Sequence, residues 1–135
     1  MNRKNIIRIR EVMKTEFETI EGLATIKQAL EIMQKKNVKA LIVNKRHDDD
    51  EYGMIIVADI AREVLAKNRS PDRVSVYEIM TKPAVCVPPE MDIRYASRLL
   101  SRMGFARAPV VQGRTIIGTV SYTDMVLKGL LQYYR

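Results

Sequence analysis

The spacing of hydrophobic residues in the first third of the chain is typical of a helix that packs on a core. Apolar residues recur three, four and seven positions after Ile26, which places them on one helical face. These residues are Ile26, Ala29, Leu30 and Met33. Thr25 is a favoured N-cap residue, and Asn37 tolerates the left-handed turn that ends many helices. The pattern predicts an amphipathic helix between Thr25 and Asn37.

A second helix, which begins and ends at equivalent positions, is predicted 67 residues later. Its apolar face consists of Ile93, Ala96 and Leu100. Asp92 stands at the N-cap position and Gly104 at the end. The same offset brings Val43 onto Val110, and after a turn that is two residues longer in the first half, an offset of 65 brings Asp59 onto Asp124. Self-similarity at one spacing indicates two copies of one structural unit.

Each copy is predicted to form a β-α-β-β-α unit. The predicted strands are residues 18–20, 41–43 and 54–57 in the first copy and residues 85–87, 109–111 and 115–121 in the second, and the predicted closing helices are residues 59–67 and 123–133. The copies span residues 1–67 and 74–135, with a turn-rich linker at 68–73. Because one unit is too small to be secure alone, we expect an α/β fold of the α+β type, in which two units pack sheet to sheet with pseudo-twofold symmetry.

Composition excludes several classes of function. Of the 135 residues 47% are hydrophobic, enough for a core. The chain has one cysteine, Cys86, and one histidine, His47, so it can form neither an internal disulfide nor a four-ligand zinc site. Asp59 and Asp124 could form a carboxylate pair, but no histidine, activated nucleophile or metal cluster accompanies them in the sequence, so we expect a protein that is not an enzyme and needs no cofactor or metal. The absence of a secretory signal and of an apolar run that could span a bilayer predicts a soluble, cytoplasmic protein that does not bind membranes.

The net charge of +7 makes nucleic acid an alternative partner. The basic residues nearest to a cluster are Arg3, Lys4, Arg8, Arg10, Lys35 and Lys36. Aromatic residues, which form stacking platforms for bases, make up only 6% of the chain, and basic residues are spread over both copies. Nucleic acid is therefore the less favoured partner.

The second copy resembles the cystathionine β-synthase (CBS) motif. The resemblance is carried by Met-Thr-x-Pro at residues 80–83, Gly-Phe-Ala-Arg-Ala-Pro-Val-Val at 104–111 and Gly-Thr-Val-Ser-Tyr-Thr-Asp at 118–124, and the first copy is a looser version. The resemblance implies a tandem CBS pair, or Bateman module. Many such pairs bind adenosine-containing ligands in the cleft between their motifs and signal to a partner domain.

The resemblance also implies which residues bind the ligand. The Gly-x-x-Ser/Thr-x-x-Asp pattern of the family is satisfied by Ser121 and Asp124. An aspartate carboxylate can accept hydrogen bonds from the paired hydroxyls of ribose, although Ser-x-x-Asp at a helix start is also an ordinary capping pattern. By the family's geometry, this better site also includes Lys14, Thr19, Val38, Lys39, Ala40 and Arg107. Two lysines and an arginine favour a phosphorylated ligand, so AMP is the leading candidate, with ADP, ATP and S-adenosylmethionine as alternatives.

A second, doubtful site is implied at the equivalent place of the other copy. It consists of Asp59 with Thr81, Cys86, Phe105 and Ala106. Because Ile56 occupies the serine position, this site lacks a hydroxyl, and weaker binding or none is expected. Cys86 and Phe105 are interpreted mainly as packing residues.

The closing helix suggests self-association. It offers a wide apolar face made of Val126, Leu127, Leu130, Leu131 and Tyr134. Part of this face should cover the chain's own sheet, and the remainder is a candidate homodimer surface. Three interpretations stay open: a nucleotide sensor that acts on an unidentified effector protein, a ligand-free structural subunit that only dimerises, and a nucleic-acid-binding protein.

Overall fold

The computed structural model describes residues 5–134, which form an α+β fold. The helices are α1 (Ile9–Val12), α2 (Ile26–Lys36), α3 (Val57–Ile60), α4 (Val76–Ile79), α5 (Ile93–Met103) and α6 (Tyr122–Gly129). The strands are β1 (Thr19–Ile20), β2 (Ala40–Val43), β3 (Gly53–Ile56), β4 (Arg107–Gln112) and β5 (Thr115–Ser121). A π-helical turn (Ala61–Leu65) continues α3, and a 3-10 segment (Leu130–Tyr134) continues α6.

The chain divides into two compact units. We call residues 18–84 the central unit. We call the described residues before 18, together with residues 85–134, the terminal unit.

The central unit contains a three-stranded sheet in the order β1-β2-β3. β1 runs parallel to β2, with Thr19 opposite Ile42, and β3 runs antiparallel to β2, with Ala40 opposite Ile56. The apolar face of α2 packs on this sheet, and the core includes Ile26, Ala29, Met33, Leu41, Val43, Ile55, Ile60, Val74 and Val76.

The terminal unit contains an antiparallel pair of strands, β4 and β5, with a register shift between Val110 and Val111. Val87 adds one parallel bridge to Val110. Its core includes Ile7, Ile9, Val12, Ile93, Ala96, Leu100, Ala108, Val120, Met125 and Tyr133. Residues that precede position 18 in the chain thus contribute buried side chains to the unit that contains α5.

The backbone pairing repeats as the sequence does. The bridge between Val87 and Val110 corresponds to the pairing of Ile20 with Val43. The bridge between Lys14 and Thr119 in the terminal unit corresponds to the bridge between Thr81 and Met54 in the central unit. The first residues of each predicted copy therefore pair with a strand of the other copy. Sequence copies and packing units are different divisions of this chain, and the boundaries at 1–67 and 74–135 stay a prediction about the copies.

The predicted ends of both long helices are confirmed. Thr25 Oγ1 accepts a hydrogen bond from the Gln28 amide at 3.1 Å, and the Asp92 carboxylate accepts one from the Arg94 amide at 2.9 Å. Asn37 and Gly104 have φ values of 54° and 78°, in the left-handed region. The amide after each of them bonds to a carbonyl five residues earlier, as expected of a Schellman ending.

Other predicted elements are corrected. The strand at 85–87 is reduced to the single bridge at Val87. In the central unit the Ile42 amide bonds to the Glu18 carbonyl, but the residue equivalent to Ile42 is Pro109, which has no amide hydrogen to donate to residue 85. Leu30 is 38% exposed, whereas Ile26, Ala29 and Met33 are buried, so the core face of α2 is narrower than predicted. The closing helices begin at Val57 and Tyr122 rather than at 59 and 123, and α1 and α4, with four residues each, are too short for periodicity to reveal.

Candidate functional site

Ser121 and Asp124 lie together where β5 passes into α6. The Asp124 carboxylate is buried, with 3% exposure. Its Oδ2 accepts hydrogen bonds from the Ser121 amide and the Ser121 hydroxyl, both at 3.0 Å. The Ser121 hydroxyl oxygen in turn accepts the Asp124 amide at 3.2 Å. This is a reciprocal capping box, so the capping arrangement considered from the sequence is present at this junction.

Two lysines flank the other carboxylate oxygen. Lys128 Nζ lies 3.3 Å and Lys14 Nζ lies 4.0 Å from Asp124 Oδ1. The main chain of Lys14 exchanges two hydrogen bonds with Thr119 on β5, each 2.9 Å long. This bridge holds Lys14 beside the strand that leads to Asp124, while the Lys14 side chain stays 63% exposed. A mostly exposed ammonium group can turn to another anion without loss of a buried contact.

Arg107 lies at the same end of the strand pair. It is the first residue of β4 and pairs in register with Ser121, the last residue of β5. Four of the predicted residues of the better site, Lys14, Arg107, Ser121 and Asp124, therefore lie in the terminal unit within one neighbourhood. Together with Lys128 we call them the Asp124 site.

Lys128 was missed by the sequence analysis. The signal that could have found it is its position four residues after Asp124 on a predicted helix, where side chains share a face. It also donates to the Val12 carbonyl at 3.4 Å.

The other residues predicted for the better site belong to the central unit. Thr19 is in β1, Ala40 is the first residue of β2, and Val38 and Lys39 immediately precede it. The Lys39 carbonyl accepts the Val57 amide at 3.0 Å, which ties this turn to the start of α3.

The doubtful site starts from a different local arrangement. The Asp59 carboxylate accepts the Ile56 amide at 3.1 Å and the Arg62 guanidinium at 2.8 Å. Ile56 has no hydroxyl, and the Arg62 that neutralises Asp59 lies on the turn that continues the same helix. Thr81 is in the central unit with Asp59, paired to Met54.

The last three residues of the doubtful site lie in the terminal unit. They are Cys86, Phe105 and Ala106. Phe105 packs against the terminal core, as its interpretation as a packing residue predicts.

Several of the basic residues considered for nucleic-acid binding form ion pairs with acidic residues. Arg8 and Arg10 both pair with Glu90, at 3.9 and 2.8 Å, and Lys36 pairs with Glu18 at 3.9 Å. Three members of the basic group considered for nucleic acid thus have acidic partners, and two of them share the single charge of Glu90. Arg3 and Lys4 lie outside the described residues.

Residues 5–134 contain neither a cluster of metal ligands nor a helix that could span a membrane. No group of three or more histidine, cysteine, aspartate or glutamate side chains there could hold a metal ion. None of the helices between residues 5 and 134 has the length and apolar character needed to cross a membrane. His47 is exposed in the polar turn after β2.

Comparison with known proteins identifies similar sequences and folds. A family model described as the CBS domain matches residues 9–66 and 76–129. The CBS domain-containing protein YhcV of Bacillus subtilis is 28% identical over 119 residues, covering 88% of this chain and 83% of that protein. The mitochondrial CBS domain-containing protein CBSX3 of Arabidopsis thaliana is 29% identical, covering 87% of this chain and 62% of that protein.

Solved structures agree with these sequence matches. A hexameric CBS-CP12 protein from bloom-forming cyanobacteria superposes with a TM-score of 0.90 at 38% identity, covering 93% of this chain and 73% of that one. The CBS domain pair of protein MJ0100, in complex with 5'-methylthioadenosine and S-adenosyl-L-methionine, superposes with a TM-score of 0.79 at 23% identity, covering 91% and 95% of the two chains. At that level of identity the likeness to MJ0100 shows the fold alone.

Proposed function

Because this chain belongs to the CBS domain family and carries the domain twice, we propose that it is a non-catalytic regulatory module that binds an adenosine nucleotide, with AMP as its ligand, at the Asp124 site. The observation that carries the proposal is the buried Asp124 carboxylate, which has a hydroxyl on one side and two lysine ammonium groups on the other. The same fold holds adenosyl ligands in the MJ0100 pair.

The carboxylate suits the sugar of a nucleotide. One of its oxygens is engaged by Ser121 in the capping box, and the other faces only the lysines among its ion-pair partners. A ribose hydroxyl that donates to this second oxygen would form a charge-assisted bond, a type that contributes about 1.5–3 kcal/mol. Lys14 would leave the carboxylate for the ligand's phosphate, since the lysine is largely exposed.

The charge of the site favours AMP over S-adenosylmethionine. Lys14, Arg107 and Lys128 carry three positive charges, and Asp124 carries one negative charge, which leaves an excess of about two positive charges. A phosphate monoester carries about −1.5 to −2 at neutral pH, so AMP matches this excess. The sulfonium group of S-adenosylmethionine is itself positive.

The two aspartates allow a matched experiment, isothermal titration of AMP into the wild type and two variants. Asp124→Asn keeps an oxygen that can accept the Ser121 amide but removes the charge, so we expect AMP affinity to fall at least about tenfold, which corresponds to about 1.4 kcal/mol. Asp59→Asn makes the same change in the central unit and should leave the stronger binding event unchanged. Adenosine, which lacks the phosphate, should bind more weakly than AMP.

Thermal unfolding of both variants separates loss of binding from loss of structure. The ligand assignment would be contradicted if Asp124→Asn, folded as judged by its melting temperature, bound AMP as the wild type does. Stronger binding of S-adenosylmethionine than of AMP would contradict the charge argument.

We further propose that the chain forms a homodimer through α6 and the segment that follows it. Val126, Leu127, Leu130, Leu131 and Tyr134 are between 47% and 78% exposed. The core contacts of this region are made by Met125, Gly129 and Tyr133 instead. Val126 and Leu130, at 49% and 47% exposure, are about half covered by the chain itself, and the more exposed Leu127 and Leu131 leave a surface for a second copy. C2 pairing is the commonest way to bury such a surface.

A further inference from the structure

A cavity of about 940 Å³ lies entirely among residues of the central unit. It is within the range of about 300–1,000 Å³ that is typical of small-molecule sites. Leu23, Val43, Tyr77 and Met80 supply apolar walls. Leu23 is 84% exposed and Tyr77 is 53% exposed, so two large apolar side chains stand at its opening.

This cavity is separate from Asp59, the carboxylate of the doubtful nucleotide site in the same unit, although Thr81 of that site stands between the lining residues Met80 and Lys82. It lies beyond Val43, where β2 ends and β3 begins, since Val43 pairs with Gly53. Asp59 follows the other end of β3, where Ile56 pairs with Ala40 at the start of β2. The two features occupy opposite ends of the sheet.

The terminal unit provides an internal comparison. At the repeat offset of 67 residues, Leu23 corresponds to Glu90 and Tyr77 to Arg10. The backbone is the same in both places, because the Tyr77 amide bonds to the Gly22 carbonyl and the Arg10 amide bonds to the Pro89 carbonyl, each at 2.9 Å. In the terminal unit the two side chains form an ion pair of 2.8 Å. The fold is therefore compatible with an ion pair at these two positions. It does not require the exposed apolar side chains of Leu23 and Tyr77 that the central unit has there.

The polar wall of the cavity is positively charged. Lys45, Arg46 and Lys82 line it together with Glu21. Asp50 accepts hydrogen bonds from Lys82 at 2.7 Å and from the Arg46 side chain at 3.1 Å. Glu21 is the acidic member of the cavity lining, so basic side chains predominate on this wall, and Asp50 holds two of them in place from behind.

We propose that this cavity binds an amphipathic monoanion, a carboxylate with an aliphatic or aromatic body. The apolar walls would cover the body, with Leu23 and Tyr77 closing over it, and Lys45 and Arg46 would face the carboxylate. The basic wall favours an anionic head group, and the concave apolar walls favour a compact apolar body over a second copy of the chain. This site is independent of the nucleotide site at Asp124.

The proposal is tested by displacement of a fluorescent monoanion, anilinonaphthalene sulfonate, with decanoate below its micelle concentration. Decanoate should displace the dye from the wild-type protein, and decanol, which has the same body without the charge, should do so at several-fold higher concentration. The double variant Leu23→Glu, Tyr77→Arg reproduces the ion pair of the terminal unit, so it should fold. Its affinity for decanoate should fall at least tenfold.

Two more variants resolve charge and location. Lys45→Gln should weaken decanoate binding about two- to fivefold, as expected for a partly exposed charge pair, and leave decanol binding unchanged. Leu127→Glu alters an equally exposed leucine of the terminal unit and should leave the displaceable signal in place. AMP binding should be unaffected in the double variant, which keeps this test distinct from that of the nucleotide site.

Three outcomes would overturn the proposal. The first is that decanoate fails to displace the dye from the wild type, which would indicate that Leu23 and Tyr77 contact a macromolecule instead. The second is wild-type affinity in a folded double variant. The third is equal displacement by decanoate and by a decyl ammonium ion, since a site that ignores the sign of the charge is only an apolar surface.

Discussion

Asp92 shows at the residue scale how one side chain joins distant parts of the terminal unit. It caps α5, accepts the Tyr133 hydroxyl at 3.0 Å and forms an ion pair of 2.7 Å with Arg94. The Arg94 guanidinium lies 4.7 Å from the centre of the Tyr133 ring. The hydrogen bond from Arg94 is the main reason that the pKa of Asp92 lies below its usual value, and the Tyr133 hydroxyl contributes in the same direction. Burial is the main reason that the pKa of Tyr133 is raised.

We predict that Asp92 makes the protein sensitive to acid. Because the pKa of Asp92 is lowered in the folded state, its stabilising contribution is complete above the ordinary value of about 3.9 and is lost as the pH falls below that value towards the folded one. Asp92→Asn should lower the free energy of unfolding at neutral pH by about 1–3 kcal/mol. It should also flatten the decline in stability below about pH 4, as measured by urea unfolding at a series of pH values.

Asp49→Asn is the control for the acid prediction. Asp49 is an exposed aspartate in the polar turn after β2, so its replacement should change neither stability nor pH profile. An Asp92→Asn variant with the wild-type decline at low pH would show that other carboxylates cause it.

Two glycines at equivalent places in the repeat show how an element depends on its neighbours. Gly53 begins β3 and Gly118 lies within β5. A Cβ atom added at Gly118 would clash with the Lys14 carbonyl oxygen, whereas one at Gly53 would lie 3.0 Å from the flexible Met80 sulfur and 3.3 Å from the equivalent Thr81 carbonyl oxygen. The glycine is needed most where the two main chains approach most closely, at the bridge that places Lys14 in the Asp124 site.

Gly118→Ala is expected to be the more harmful of the two equivalent changes. Overpacking against backbone should cost about 1–3 kcal/mol and push Lys14 away from β5, so AMP binding should weaken as well. Gly53→Ala should cost less, because the Met80 side chain can move. Thermal unfolding and AMP titration of both variants measure the difference. Equal losses in the two would contradict the assignment of strain to the Lys14 carbonyl.

At the scale of the whole molecule, the exposed apolar face of α6 and the following 3-10 segment is the surface that we propose as the homodimer interface. Leu127 is 78% exposed at its middle. Replacement by glutamate would place a charge in the proposed interface, where burial of an unpaired charge is strongly unfavourable.

We therefore expect Leu127→Glu to weaken the homodimer at least about tenfold, measured by sedimentation velocity over a range of protein concentrations. Leu23→Glu changes an equally exposed leucine of the central unit and should leave the sedimentation profile unchanged. A monomeric wild-type protein, or a dimer that tolerates Leu127→Glu, would refute this interface.

Features that depend on residues close together in the chain could be predicted from the sequence. The two helices, their caps at Thr25 and Asp92 and their left-handed ends at Asn37 and Gly104 depend on contacts within about five residues, and so does the Ser121–Asp124 capping box. The repeat also needs only the order of residues. The α+β fold and the resemblance to the CBS family were predicted from these features.

Tertiary structure decided which distant segments meet. It placed Lys14 beside Asp124, 110 residues later, and it paired residues before 18 with the unit built around α5. It also buried Met125, Gly129 and Tyr133 and left the neighbouring leucines exposed, and it opened a cavity behind Leu23 and Tyr77 where the equivalent Glu90 and Arg10 form an ion pair. The physical reason is that burial and charge pairing depend on which surfaces come into contact, and hydrophobic periodicity along the chain defines only the face of an element, not what covers it.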